Sequence, residues 1–389
     1  MEIRKFSSAL LLMGALVVGV SSLSCSDDDD SIADDENLKE EYFEAAINPY
    51  IDNTVRATYK GMADAAVGLA KSCDEMYQAF VDGDLTSAMV EEAGNYWKES
   101  RKYWEWSEAF LYGAAADYNI DPHIDSWPLD KNAMDQLLAN IRAGQSWSVG
   151  ILGEGLLGFH AVEYLLFELD ATETNSMVHN LNYTEEELVY LSAVANDLCA
   201  QCVLLEASWA GVENVSSEKQ AILEEAELEP SMNYGDNMKS AGNAGSLYKT
   251  KQSAVEDIVQ GCIDIADEVA NTKIGRPVLG ATEEDKNYIE SPYSLNSIVD
   301  FVGNIISIEN AYCGSKSGDA SISDFIAEVD ADLDAEVKAL IAESKSAIEA
   351  IPEPFAKSAS TQVAADAQEK VNELRDILEE VMEAVVANY

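Results

Sequence analysis

Apolar residues recur at three- and four-residue intervals over seven long stretches of the chain: 55–80, 85–112, 188–209, 248–269, 298–312, 329–351 and 363–386. That spacing places them on one face of a helix, so each stretch predicts an amphipathic helix, and the two-residue alternation of a half-buried strand is hard to find. Thr184 with Glu187, and Ser217 with Gln220, fit the capping-box pattern at two helix starts. The rhythm breaks over 230–246, where Gly235, Gly242 and Gly245 stand among Ser, Asn and Asp residues, which reads as a joint. The pattern predicts an all-α fold of two helical-bundle domains, 41–230 and 231–389, each with enough long helices to bury one stripe apiece. Two irregular segments, 113–128 and 271–292, exceed ordinary connections, and long loops in compact domains are often functional.

The start of the chain obeys a different rule. Arg4 and Lys5 precede an apolar run from Ala9 to Val20 and a small-residue stretch ending at Cys25. The run is too short to span a bilayer, which takes about 20 apolar residues, so residues 1–24 read as a secretory signal peptide. Leu23-Ser24-Cys25 resembles a bacterial lipobox, with Ser22 standing where an aliphatic residue is usual. Cleavage there leaves Cys25 as the lipidated N-terminus and membrane anchor. The acidic run Asp27-Asp28-Asp29-Asp30 resembles a surface-export signal, and residues 26–40 read as a flexible acidic tether. The expectation is an outer-membrane lipoprotein displayed at the cell surface.

Of the 389 residues, 72 are acidic and 24 basic, a formal net charge of -48. Such a surface repels phosphate backbones, which excludes nucleic acid as a partner, and it attracts cations loosely. Besides Cys25 there are five cysteines, at 73, 199, 202, 262 and 313, an odd number that cannot pair fully within one chain. Cys199 and Cys202 form a Cys-x-x-Cys inside a helical run with no second cysteine pair, so they read as buried small hydrophobes.

The chemistry concentrates in Gly158-Phe159-His160-Ala161-Val162-Glu163. On a helix, His160 and Glu163 lie about 60° apart and one turn apart in height, so both can reach one point. Ile151 to Phe167 is apolar nearly all round, which predicts burial, and a buried carboxylate is costly unless paired or metal-bound. Gly158, read as interior to this helix, implies close approach by another backbone or a ligand. Two readings stay open: a ligand pair for a metal, or a Glu163 paired with Arg or Lys beside a satisfied core histidine. His123 and His179 lack such context and read as loop residues. On the 85–112 stretch, Trp97, Arg101, Trp104, Glu108 and Tyr112 form one stripe, in which Glu108 either pairs with Arg101 or faces His160. One imidazole with carboxylates suits iron, manganese or zinc without choosing among them. No phosphate loop, dinucleotide fingerprint or Gly-x-Ser-x-Gly elbow is present.

The hexad resembles the Gly-x-His-x-x-Glu hallmark of the imelysin family, also called insulin-cleaving membrane proteases. The blocks 106–110, 121–130, 261–277 and 290–305 are similar to that family's other segments, so the resemblance covers residue 40 to the C-terminus. It implies two bundle-like helical domains with the hexad helix near their interface, facing residues of the second half. It also implies a metal-linked role, since related proteins include iron-regulated outer-membrane lipoproteins and a periplasmic component of ferrous-iron uptake. The expected function is iron or haem acquisition, with a divalent or trivalent metal ion, iron or zinc, or haem bound at an inter-domain cleft. The expected ligands are His160 and Glu163, with Glu108 as third and Asp300 a weaker candidate from the second half; an outer-membrane transport partner is compatible with this role. One rival is an imelysin-type metallopeptidase with Glu163 or Glu108 as general base. The other is a non-metal receptor whose His160 and Glu163 form a structural network. The proteolytic reading fits the residues poorly, because only one of the two usual zincin imidazoles is present.

Overall fold

In the computed structural model the chain is described over residues 29–387, with side chains described from Lys39 onward. The leader 1–24, Cys25 and the first acidic residues lie outside the described residues. The fold is all-α apart from one two-stranded antiparallel ribbon, Phe167–Leu169 against Ser176–Val178. All seven expected helices are present: Arg56–Asp82, Ser87–Glu105, Glu185–Ala210, Lys251–Glu268, Ser297–Cys313, Ala331–Glu349 and Gln362–Val386.

The helices pack in two sets. Arg56–Asp82 lies between Ser87–Glu105 and Glu185–Ala210, and the short hexad helix, Gly158–Leu166, rests on the latter two. In the second set Lys251–Glu268 packs on Ser297–Cys313 and Gln362–Val386, with Ala331–Glu349 closing the group. One continuous apolar core runs through both sets. The helix Glu185–Ala210 is long and apolar enough to cross a membrane by composition, but two-thirds of its apolar window is buried at the centre of the first set.

Several local expectations change. The helix Asp29–Pro49 begins inside the segment expected to be a tether, and from Lys39 onward it is docked. Lys39 Nζ donates to the Ala387 carbonyl at 2.6 Å, and Phe43 packs edge-on against Phe325 with ring centroids 4.8 Å apart. The 85–112 stretch is not one helix: it ends at Glu105 and resumes as a 3-10 turn, Glu108–Phe110. The break turns the Ala109 N–H outward to Ser307 Oγ at 3.1 Å, which joins the turn to the second set. Gly261 makes room for that crossing, since a Cβ there would lie 2.1 Å from the Ala109 carbonyl oxygen. The Thr184–Glu187 capping box forms, whereas the cap of the next helix is Ser216, accepting from Lys219 N, rather than Ser217. The joint at 230–246 contains a short helix, Tyr234–Lys239. Cys73, Cys199, Cys202 and Cys262 are buried free thiols, and Cys313 is half-buried.

Candidate metal centre

Gly158 is the first residue of its helix, not an interior one. Its φ is +71°, and a Cβ would fall 1.9 Å from the Ile124 carbonyl oxygen, so the backbone of residue 124 runs directly over it. That contact delivers the next residue, Asp125, to the hexad. Trp97 Nε1 donates to the Phe159 carbonyl at 2.9 Å, and Tyr183 Oη to Leu165, also by its carbonyl, at 2.6 Å. The nine-residue helix is thereby held on both sides, and all of its hexad residues are buried.

At the centre stands Arg101, with no exposed surface. Its Nη2 lies 2.6 Å from both Glu105 Oε1 and Glu290 Oε1, its Nε 3.4 Å from Asp300 Oδ2, and its Nη1 pairs with Asp125. Lys273 Nζ is 3.0 Å from Glu290, 3.6 Å from Glu108 and 3.7 Å from Glu105. Trp104 Nε1 donates to Asp125 Oδ2 at 2.7 Å. The buried carboxylates of this cluster are thus Glu105, Glu108, Asp125, Glu163, Glu290 and Asp300, six against the cluster's two permanent cations Arg101 and Lys273.

Each expected residue has a definite place. His160 Nδ1 donates to Glu163 Oε2 at 3.2 Å. Its Nε2 lies 3.0 Å from Asp125 Oδ1, yet the alignment is too poor for a hydrogen bond, and this buried nitrogen has no hydrogen-bond partner among the described residues. Glu163 Oε1 is saturated by the Tyr293 N–H at 2.9 Å and by the N–H and Oγ of Ser294, both at 2.7 Å. Glu163 therefore joins the halves of the chain and orients the imidazole. Asp300 accepts from Ser291 Oγ and Asn296 Nδ2, both at 2.5 Å. Glu108 meets Lys273, neither pairing with Arg101 nor reaching His160. His123 sits in the helix Ile120–Ile124, not in a loop, and pairs with Asp197 at 2.7 Å, while His179 is a loop residue as expected and stacks on Tyr183; neither joins the cluster.

Two sets of side chains have ligand atoms mutually within 4.8 Å: Asp125, His160 and Glu290, and Glu105, Glu108 and Asp125. Glu290 Oε2 is, like His160 Nε2, buried without a hydrogen bond. An unsatisfied imidazole nitrogen and an unsatisfied carboxylate oxygen on two members of one such set, amid surplus negative charge, fit a divalent or trivalent cation. Sequence patterning missed Asp125, Glu290, Glu105 and Lys273. Asp125, Lys273 and Glu290 lie in the two irregular segments and also in the family-like blocks 121–130, 261–277 and 290–305, the signals that could have found them.

The charge surplus is visible in the proton equilibria. Burial pushes Glu105 and Glu108 well above the usual carboxylate range, Asp300 to about 6 and Asp121, beside Asp125, to about 7. Burial disfavours the charged imidazole, but the contacts with Asp125 and Glu163 outweigh it and hold His160 at about 9. Asp125 is held well below the usual range: burial opposes this, and Arg101 and His160 overcome it.

The imelysin family matches residues 55–381 of this chain. The chain belongs to the imelysin family. The iron-regulated protein A of Synechococcus elongatus is 28% identical over 312 residues, covering 79% of this chain and 76% of the relative. The crystal structure of an iron-regulated protein A precursor from Parabacteroides distasonis superposes with a TM-score of 0.74 at 26% identity, covering 90% of this chain and 96% of that one. An imelysin-like protein from Psychrobacter arcticum shares the fold at 11% identity, with a TM-score of 0.58 over 90% of this chain and 94% of that one.

The pKa pattern gives a stability prediction for this imelysin. His160, Asp121, Asp300, Glu105 and Glu108 all bind a proton more tightly folded than unfolded, so their contribution is full at low pH and is lost as pH rises. The carboxyl part is lost from about pH 4 upward, and the His160 part between its unfolded value of about 6.5 and its folded value of about 9. Asp125 acts oppositely, its contribution being lost only as pH falls below about 4. The melting temperature of metal-free protein is expected to fall from pH 6 to pH 9.5, and calorimetric scans of His160→Gln should show a flatter decline between pH 7 and 9.5. An equal slope in both proteins would contradict the assignment.

Proposed function

We propose that this imelysin is a lipid-anchored protein of iron acquisition that captures a metal ion in its buried acidic cluster. The observation that carries the reading is His160 Nε2, buried, without a hydrogen bond and 3.0 Å from Asp125 Oδ1, on a ring that offers a ligand atom within 4.8 Å of one oxygen each of Asp125 and Glu290. Its iron character is supported by the name of the Synechococcus and Parabacteroides relatives, iron-regulated protein A. In this reading His160, Asp125 and Glu290 hold the ion, Glu163 fixes the imidazole as a positioning residue, and Glu105 and Glu108 supply further negative charge. Haem fits this cluster less well than a bare ion, because His160 is only 2% exposed.

Cleavage of polypeptides is disfavoured on the same ground. A metallopeptidase must bring a scissile bond against its metal and general base, and here His160, Glu163 and Asp125 are all buried. A structural role for the network has one observation behind it: Arg101 already binds four carboxylates, so the cluster is partly neutralised without a metal. Metal titration separates the two.

Because His160 holds its proton up to about 9, a metal must displace that proton on binding. Calorimetry with iron(II) is expected to show about one proton released at pH 7 and affinity rising about tenfold per pH unit until it flattens near 9. His160→Ala should weaken binding at least about 100-fold. If wild type and His160→Ala behave alike towards iron(II), iron(III), zinc and haem, the capture reading falls and the structural one stands. The anchor is a separate matter: the leader, Cys25 and the acidic run that follows it support outer-membrane attachment at the cell surface. Cys25→Ser is expected to leave the membrane fraction on cell fractionation, and its retention there would remove the lipid anchor.

A further inference from the structure

A cavity of about 370 Å³ opens between the two helical sets, lined by Glu108, Tyr112, Asp257, Gln260, Asp264 and Glu268 among others. Its walls are the helix Lys251–Glu268 on one side and residues 108–112 on the other. Asp257 and Asp264 are exposed at its rim, and a neighbouring hollow that shares Asp264 and Glu268 adds Asp267 and Glu379. Negative groups in a concave low-dielectric wall focus field and concentrate cations.

Glu108 links this cavity to the cluster. It is 7% exposed, yet it lines the cavity, and no hydrogen bond reaches either of its oxygens among the described residues. Its one ion-pair partner among the described residues is Lys273, with Nζ at 3.6 Å, too long for a hydrogen bond, and the carboxylates of Glu105, Glu268 and Asp121 also face it. Inward of it the steps are short: Glu108, Glu105 and Asp125 present oxygens within 4.8 Å of one another, and so do the ligand atoms of Asp125, His160 and Glu290. Lys273 stands beside this path, on the π-helical segment Val269–Lys273 that follows the cavity wall. Such segments are often found at functional sites.

We infer that this cavity is the port through which a cation enters, and that Glu108 is the relay carboxylate that passes the ion by Lys273 to Asp125 and His160. The inference rests on the metal-capture reading. Lys273 acts as a tethered stand-in: its ammonium, 3.0 Å from Glu290, neutralises the path and yields position when the ion arrives.

The test is stopped-flow mixing with iron(II) under anaerobic conditions, followed by tryptophan fluorescence, since the Trp127 ring lies 5.2 Å from Lys273 Nζ and 6.1 Å from the His160 ring. Gln260→Trp fills the port at an exposed position outside the cluster. It is expected to slow association and dissociation alike by at least about tenfold, with equilibrium affinity unchanged, as obstruction of a gate requires. The pair Asp257→Asn and Asp264→Asn should slow association about 3- to 10-fold at low salt, with the difference shrinking at high salt. Wild-type kinetics in the Gln260→Trp protein overturn the port, whether or not the charge pair has an effect, because a general negative field needs no port. Failure of wild type to bind iron(II) at all instead removes the capture reading, and the port with it.

Discussion

The structure depends on a guanidinium that has no access to water. Arg101 binds Glu105 from its own helix, Asp125 from the irregular segment of the first half, and Glu290 and Asp300 from the second half. Taking such charges out of water costs several kcal/mol per ion, and only good geometry with full pairing offsets it. The four partners must therefore arrive together. Their convergence ties the helix Ser87–Glu105 to residues 290–300, and with it the first helical set to the second. A buried pair of this kind is weak evidence for stability but sets register, because any displacement leaves a charge stranded.

Arg101 and Lys273 do not neutralise all of the acid around them. Burial raises the proton affinities of Glu105, Glu108 and Asp300, with neighbouring carboxylates adding to it, and at His160 the contacts with Asp125 and Glu163 outweigh burial, so each keeps a proton more readily than it would in water. A site that holds protons in this way is one a metal cation can occupy by exchange. The hexad divides the labour: Glu163 is spent on three donors from residues 293–294 and on the imidazole, so it aims His160 and binds the halves together. Gly158 contributes through absence, letting the Ile124 carbonyl settle where a methyl group would stand and so placing Asp125.

The helices were legible in the chain because each buries one apolar stripe, and a stripe has a period. The all-α class and the seven long helices could be read that way, while Gly158, His160 and Glu163 were singled out by their spacing and their apolar setting. The break after Glu105 could not, since the bond that accompanies it runs from Ala109 to Ser307, nearly two hundred residues away. Asp125, Glu290 and Lys273 were hidden for a related reason. They lie where the backbone is irregular, and the period says nothing about which side chains point inward. Their partnership is set by long-range packing around Arg101, which appeared in the sequence only as a member of an aromatic stripe. Glu108 was visible on that same stripe, but its partner is a lysine from the other half. The acidic segment before residue 40 read as a tether from composition alone; from Asp29 it belongs to a helix whose later part is docked through Phe43, Ile47 and the residues beyond.

The central claim is that His160, Asp125 and Glu290 form a cation site rather than a closed structural network. The most direct measurement is an anomalous difference map from crystals of the protein equilibrated with iron, collected on both sides of the iron absorption edge. The account predicts one dominant peak within bonding distance of His160 Nε2, flanked by Asp125 and Glu290, with Lys273 shifted from its metal-free position. Iron peaks confined to surface carboxylates, with the cluster around His160 unchanged, would contradict it.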